Sequence, residues 1–108
     1  GLVDEFDVPT GLYLQPASPR DILARVLRNL KEIYRSAEDW ERLLKAQQRL
    51  VILLPEDWSE RRDRGLALAE LGRFDEAVAD LESYLEQAYD EPDHDLIAQR
   101  LAGLRGLS

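Results

Sequence analysis

LGRFDEA, residues 71–77, places a glycine, an aromatic, two acids and an alanine within a few positions of one another. Apolar residues at helical spacing lie on both sides of it. Gly72 can adopt the left-handed backbone that ends a helix without a Cβ penalty. Phe74 and Ala77 then begin a new apolar face. The stretch predicts two helices joined by a tight turn, antiparallel because the connection is short. Gly65, Leu66, Leu68, Ala69 and Leu71 form the apolar side of the helix before the turn. Asp57 or Ser59 caps that helix, and with Asp57 as cap Glu60 completes an acidic variant of the capping box. After the turn the apolar face runs through Val78, Leu81, Tyr84, Leu85 and Ala88. Pro92 or Asp93 then opens a further helix with Leu96, Ile97, Leu101 and Leu104, ending at Arg105-Gly106.

The first half of the chain follows the same plan. Ser18 can cap a helix that has Pro19 at its first position and Asp21 in its first turn. Ile22, Leu23, Val26, Leu27, Leu30, Ile33 and Tyr34 recur at spacings of three and four, which predicts one apolar face. Asp39 caps a second helix carrying Trp40, Leu43, Leu44, Leu50, Val51 and Leu54, which stops before Pro55. Before all of this, residues 1–17 read as an extended arm, because Pro9, Gly11 and Pro16 prevent a long helix. The arm is too apolar for a free tail. Part of it is expected to pack on the helices, and it can also be read as a linker from an upstream domain.

Displacing the sequence by 34 residues brings its two halves into register without a gap. Trp40 falls on Phe74, Leu43 on Ala77, Leu44 on Val78, Tyr34 on Leu68 and Val51 on Leu85. That period is the tetratricopeptide (TPR) repeat length. The second copy, about 58–91, holds the small residues Gly65 and Ala77 that let two helices approach closely. The first copy, about 24–57, keeps Asn29, Leu30, Tyr34, Trp40 and Pro55, with Lys31 and Leu43 where small residues are usual. The expected fold is all-α: two TPR-like helical hairpins and a C-terminal capping helix, about 93–105, preceded by the extended arm. Two repeats are few for a solenoid, so the arm and the last helix are expected to cover its open ends.

Composition narrows the function. The 108 residues suit one domain, with 44% apolar and 33% charged residues. There is no cysteine, which removes disulfides, thiolate metal sites and a cysteine nucleophile. There is no methionine, which reads as an excised or processed piece of a longer protein. No apolar run approaches the ~20 residues that span a bilayer, so no membrane partner is expected. A net charge of −8 argues against nucleic acid. The charge is uneven: residues 20–64 hold eleven of the fourteen Lys and Arg, and residues 75–95 hold nine acids and none of the bases.

Read as whole segments, PASPRDILARVLRNLKEIY (16–34), DW (39–40), ERRDRGLALAELGRFDEAVADLESYL (60–85) and PDHDLIAQRLAGL (92–104) resemble the C-terminal TPR region of bacterial SirB-type proteins. Those proteins join an N-terminal transglutaminase-like domain to such a tail. The resemblance covers residues 12–105. It implies a bacterial cytoplasmic protein, an arm that comes from the domain junction, and the upstream domain as one possible partner.

No constellation for chemistry is readable. Transglutaminase-like catalysis needs a thiol and a histidine base, and the sequence has no Cys and one His. His94 reads as an exposed residue at a helix start. DEPDHD (90–95) lacks the order and central glycine of a calcium loop. No catalytic residue, metal or cofactor is assigned. What remains is the groove lined by the first helix of each hairpin. The repeat register places Arg25, Arg28, Asn29, Glu32 and Arg35 there from the first copy, and Ser59, Arg62, Asp63 and Leu66 from the second. Arg25, Arg28, Asn29, Arg35, Arg62 and Asp63 are the candidate peptide-binding residues, since a guanidinium fork suits a carboxylate. The competing reading is that Arg28 and Arg62 pair with Asp63 and Glu32 and fix the packing of the repeats. The function expected is a non-catalytic protein-interaction module that binds an acidic or C-terminal peptide segment. The alternative is a structural domain that packs on its upstream domain or dimerises.

Overall fold

Five helices follow one another in the computed structural model, which describes residues 17–107. They are α1 (Pro19–Ser36), α2 (Trp40–Leu53), α3 (Trp58–Glu70), α4 (Phe74–Gln87) and α5 (His94–Arg105). The arm expected at 1–17 lies, except for Ala17, outside the described residues. Each helix packs on the next along the chain, as short connections require.

Three helix starts are closed by side chains. Ser18 Oγ accepts from the Asp21 N–H at 3.1 Å, Asp39 Oδ1 from Arg42 at 3.2 Å and Asp57 Oδ1 from Ser59 at 3.1 Å. The expected capping box does not form. The Asp57 N–H donates to the Leu54 carbonyl at 3.0 Å, and the Glu60 carboxylate turns inward to α1 and α2. A buried ammonium is a stronger partner for it than a solvated amide.

The 34-residue register holds at the level of single backbone bonds. The Asp39 N–H donates to the Tyr34 carbonyl at 2.9 Å, and Arg73 to Leu68 at 2.9 Å. Leu54 to Leu50 and Ala88 to Tyr84 both measure 2.8 Å. Asp57 to Leu54 at 3.0 Å and Glu91 to Ala88 at 3.1 Å complete the correspondence. So the link from α4 into α5 copies the link from α2 into α3. Gly72 has φ +75°, and the residue one period earlier, Glu38, has φ 55°. A side chain in this region costs about 1–2 kcal/mol. Glu38→Gly is therefore expected to raise stability by up to about 1 kcal/mol, after the greater chain entropy of unfolded glycine is subtracted. An unchanged or lower urea midpoint would show that Glu38 gains a compensating contact.

The core is continuous from α2 to α5, built on Leu44, Leu68, Ala77, Leu81, Tyr84 and Leu101. Close approach of α3 and α4 depends on Gly65. A Cβ there would meet Leu81 Cδ2 at 3.0 Å and Asp80 Cβ at 3.1 Å. Gly65→Leu is expected to cost about 1–3 kcal/mol by overpacking, read as a lower melting temperature. A wild-type melt would mean that the two helices can separate freely.

One part of the expected apolar patterning is corrected. On α1 only Ala24, Leu27 and Lys31 are buried. Ile22, Leu23, Val26 and Ile33 are 51%, 47%, 47% and 60% exposed. The apolar arc of α1 is wider than its packed side, against α2 and the charged face of α3, can cover. Leu96 of α5 also faces outward.

Candidate functional site

The faces of α1 and α3 that meet carry charged side chains where a repeat stack normally has apolar ones. Lys31 recurs seven residues after Ala24 and four after Leu27, so it enters the same buried stripe. Its ammonium reaches Glu60 Oε1 at 3.0 Å and also Asp63 Oδ2. Glu60, on the inward side of the first turn of α3, is 2% exposed. It also accepts from Arg28 Nε at 3.1 Å and from Gln47 Nε2 at 3.2 Å. Arg28 spans to Asp57 at 2.8 Å. One carboxylate thus joins α1, α2 and α3.

The chain of pairs continues toward the C-terminus. Arg62 Nε donates to Asp63 Oδ1 at 2.8 Å, and its Nη1 to Asp93 Oδ2 at 3.0 Å. Asp93 Oδ1 accepts from the Tyr84 hydroxyl at 2.5 Å. Both Asp93 oxygens are therefore occupied, and α5 has no side-chain cap bond although Asp93 stands at the cap. Arg64 grips Asp80 through two bonds of 2.6 Å, tying α3 to α4.

The electrostatics follow this wiring. Burial alone would raise the Asp63 carboxyl, but Arg62 and Lys31 outweigh it and hold Asp63 below its ordinary 3.8. Its contribution is therefore present above pH 3.8 and is lost as pH falls through the lowered value. Burial pulls the Arg62 guanidinium down, while Asp63, Tyr84 and Asp93 together lift it above the ordinary range. Burial and then the Asp93 carboxylate push the Tyr84 phenol up, against a smaller opposing pull from Arg62.

Beside the charged chain lies a cavity of about 380 Å³. Its apolar lining comes from Trp40 and Leu43 of α2, Leu66 and Ala67 of α3, and Leu96 and Ile97 of α5. Arg35, Asp63, Glu70 and Arg100 stand among the lining residues. Arg35 pairs with Glu32, and Arg100 lies 3.7 Å from Glu70. The two guanidinium side chains are 56% and 50% exposed, so each keeps a face toward solvent.

The six candidates from the sequence divide among three surfaces. Arg25, Arg28 and Asn29 line a hollow of about 400 Å³ with Leu54 and Asp57. Arg35 and Asp63 line the apolar cavity. Arg62 faces a third depression with Arg20, Trp58 and Tyr84. The competing pairing between repeats does not form as expected: Arg62 pairs with Asp63, its neighbour in α3. Arg28 takes Asp57 and Glu60 instead, and Glu32 takes Arg35. Sequence reasoning missed the roles of Lys31, Glu60 and Gln47, and the apolar cavity. The available signal was a lysine and a glutamine at core spacing, Lys31 in register with Gly65 and Gln47 with Leu81. His94 sits at the start of α5 with Nδ1 3.4 Å from Asp95. Among the described residues no group of His, Cys, Asp or Glu converges as a metal site requires, and no helix is long and apolar enough to cross a membrane.

The chain resembles known proteins over most of its length. The tetratricopeptide repeat family profile matches residues 30–102. A Xylella fastidiosa protein named "UPF0162 protein" is 36% identical over 91 residues, covering 84% of this chain and 32% of the relative. Protein SirB1 of Salmonella typhimurium is 30% identical over 88 residues, covering 82% of this chain and 33% of the relative. The chain thus spans about a third of the length of these curated relatives. No solved structure gives a significant match. These likenesses bear out the resemblance to a SirB-type repeat region. With its period, its duplicated turns and the matched span in agreement, the chain belongs to the tetratricopeptide repeat family.

Proposed function

We propose that the chain is a non-catalytic protein-interaction module that holds an acidic peptide segment with an apolar anchor. The anchor enters the cavity between Trp40, Leu66 and Leu96, and the segment's carboxylates meet the open faces of Arg35 and Arg100. One observation carries this reading: an apolar cavity of about 380 Å³ with two half-exposed arginines among its lining residues. A buried anchor supplies affinity, and arginine at the rim selects the charge of the partner. Arg25, Arg28 and Asn29 extend the same preference toward the start of α1, where Arg25 has no ion pair among the described residues. Arg62 and Asp63 serve the packing of the hairpins and position Lys31. On the SirB-type likeness, the module serves a longer bacterial cytoplasmic protein that carries a transglutaminase-like domain.

The test is selection of displayed random peptides on the immobilised chain, wild type against Arg35→Glu/Arg100→Glu. Both arginines are exposed, so a thermal melt should show that the variant still folds. Peptides combining an apolar residue with Asp, Glu or a free C-terminus should be enriched on the wild type. Their affinity should fall about tenfold or more in the variant, as loss of a charged hydrogen bond implies. Enrichment of basic peptides, or equal affinity for both proteins, would refute the reading.

A further inference from the structure

One residue lining the apolar cavity is fully buried and only half satisfied. Gln47 of α2 is 0% exposed. Its amide nitrogen donates to the Glu60 carbonyl at 3.1 Å and to Glu60 Oε1 at 3.2 Å. Both of these neighbours are acceptors, so the amide has one allowed orientation. Reversing it would set oxygen against oxygen. The other end of the amide, Oε1, has no hydrogen-bond partner among the described residues. Lys31, which lines the same cavity, is held by Glu60 and Asp63 instead. A buried polar atom is rarely left so, and one beside a cavity calls for a donor from outside the chain.

We infer that Gln47 Oε1 is the acceptor for the anchor of the bound segment, and that this anchor is a tryptophan, whose indole N–H it receives. The inference rests on the peptide-binding reading of this cavity and names the side chain that fills it. Binding pockets combine apolar walls with a few polar groups that fix orientation, and Leu43, Leu66 and Ile97 are such walls. The indole nitrogen is a donor only, so the ring brings no lone pair that the walls would leave unpaired. A tyrosine hydroxyl would bring two, and a serine would leave most of the 380 Å³ empty. The half-exposed guanidinium groups of Arg35 and Arg100 add a further preference, since a cation over a ring face is held best by tryptophan. Oε1 is closed to solvent, so bulk water does not already supply the bond that the indole makes. The side chains around it must yield slightly as the ring seats.

The test uses N-acetyltryptophanamide and its benzothienylalanine counterpart, in which sulfur replaces the N–H. Binding is followed by methyl signals of Leu43, Leu66 and Ile97. The tryptophan amide should bind about tenfold more tightly, as expected for a hydrogen bond to a buried group. It should also shift the side-chain amide signals of Gln47, which the counterpart should leave in place. Gln47→Met should bring the two affinities together. If that variant does not fold, the ligand pair and the Gln47 signals on the wild type decide alone. Equal affinities on the wild type, no methyl shift with the tryptophan amide, or a preference that survives Gln47→Met would each overturn the inference. Both ligands are neutral, so the result does not depend on the arginines. N-acetyltryptophan with its free carboxylate, set against the amide, reads those separately: no gain from the carboxylate would count against the acidic-peptide reading and leave the Gln47 contact standing.

Discussion

Lys31→Met is expected to destabilise the fold by about 3–5 kcal/mol, the range for removing one partner of a buried ion pair. Methionine keeps most of the stem volume, so packing changes little. What changes is the environment of Glu60, which is 2% exposed, and of Asp63, which Lys31 shares with Arg62. Arg28 and Gln47 still reach Glu60, but from one side each. Urea unfolding should show a lower midpoint at unchanged slope. Adding Glu60→Gln to the variant should cost less than the sum of the two single changes, because the buried carboxylate charge that lost its ammonium is gone. Strict additivity would show that the two side chains act independently and that the network is only apparent.

The second large effect is expected at Tyr84, the bulkiest of the fully buried side chains. Tyr84→Ala removes an aromatic from the core between α4 and α5, which costs about 3–5 kcal/mol. A small domain has about 5–15 kcal/mol in all, so this variant should be partly unfolded at ordinary temperatures. Tyr84→Phe isolates the hydroxyl. It keeps the ring and removes the bond to Asp93, and should cost about 1.5–3 kcal/mol, the range for a hydrogen bond to a charged group. Thermal melts followed by circular dichroism separate the two. If Tyr84→Phe melts like the wild type, Arg62 alone suffices to hold Asp93 and the start of α5.

The helices were legible because their signals are local. Gly72, Asp39 and Ser18 act through their own backbone or the next turn, and each stands where the sequence predicts. Glu38 shows the limit: the same left-handed turn is made by a residue that carries no sign of it except its place one period before Gly72. The candidate site was less legible because partners in space are not partners in spacing. Arg28 was expected beside Asp63 or Glu32, yet its helix is set so that Asp57 and Glu60 come within reach. Glu60 read as a cap residue because three positions separate it from Asp57. Only the closeness of α1 and α2 makes it a core residue. The apolar cavity draws on four helices, so no single segment announces it.

The two hairpins repeat the same backbone bonds at their turns and at the links that follow, which raises the question of how the chain avoids stacking out of order. One period after Glu60 and Asp63 stand His94 and Ile97. A slipped arrangement that set α1 against α5 would bury the Lys31 ammonium against an imidazole and an isoleucine, with no carboxylate from those two positions. The buried charges therefore work as an address. They admit the first hairpin at one junction only, and penalise exchange of hairpins between neighbouring chains.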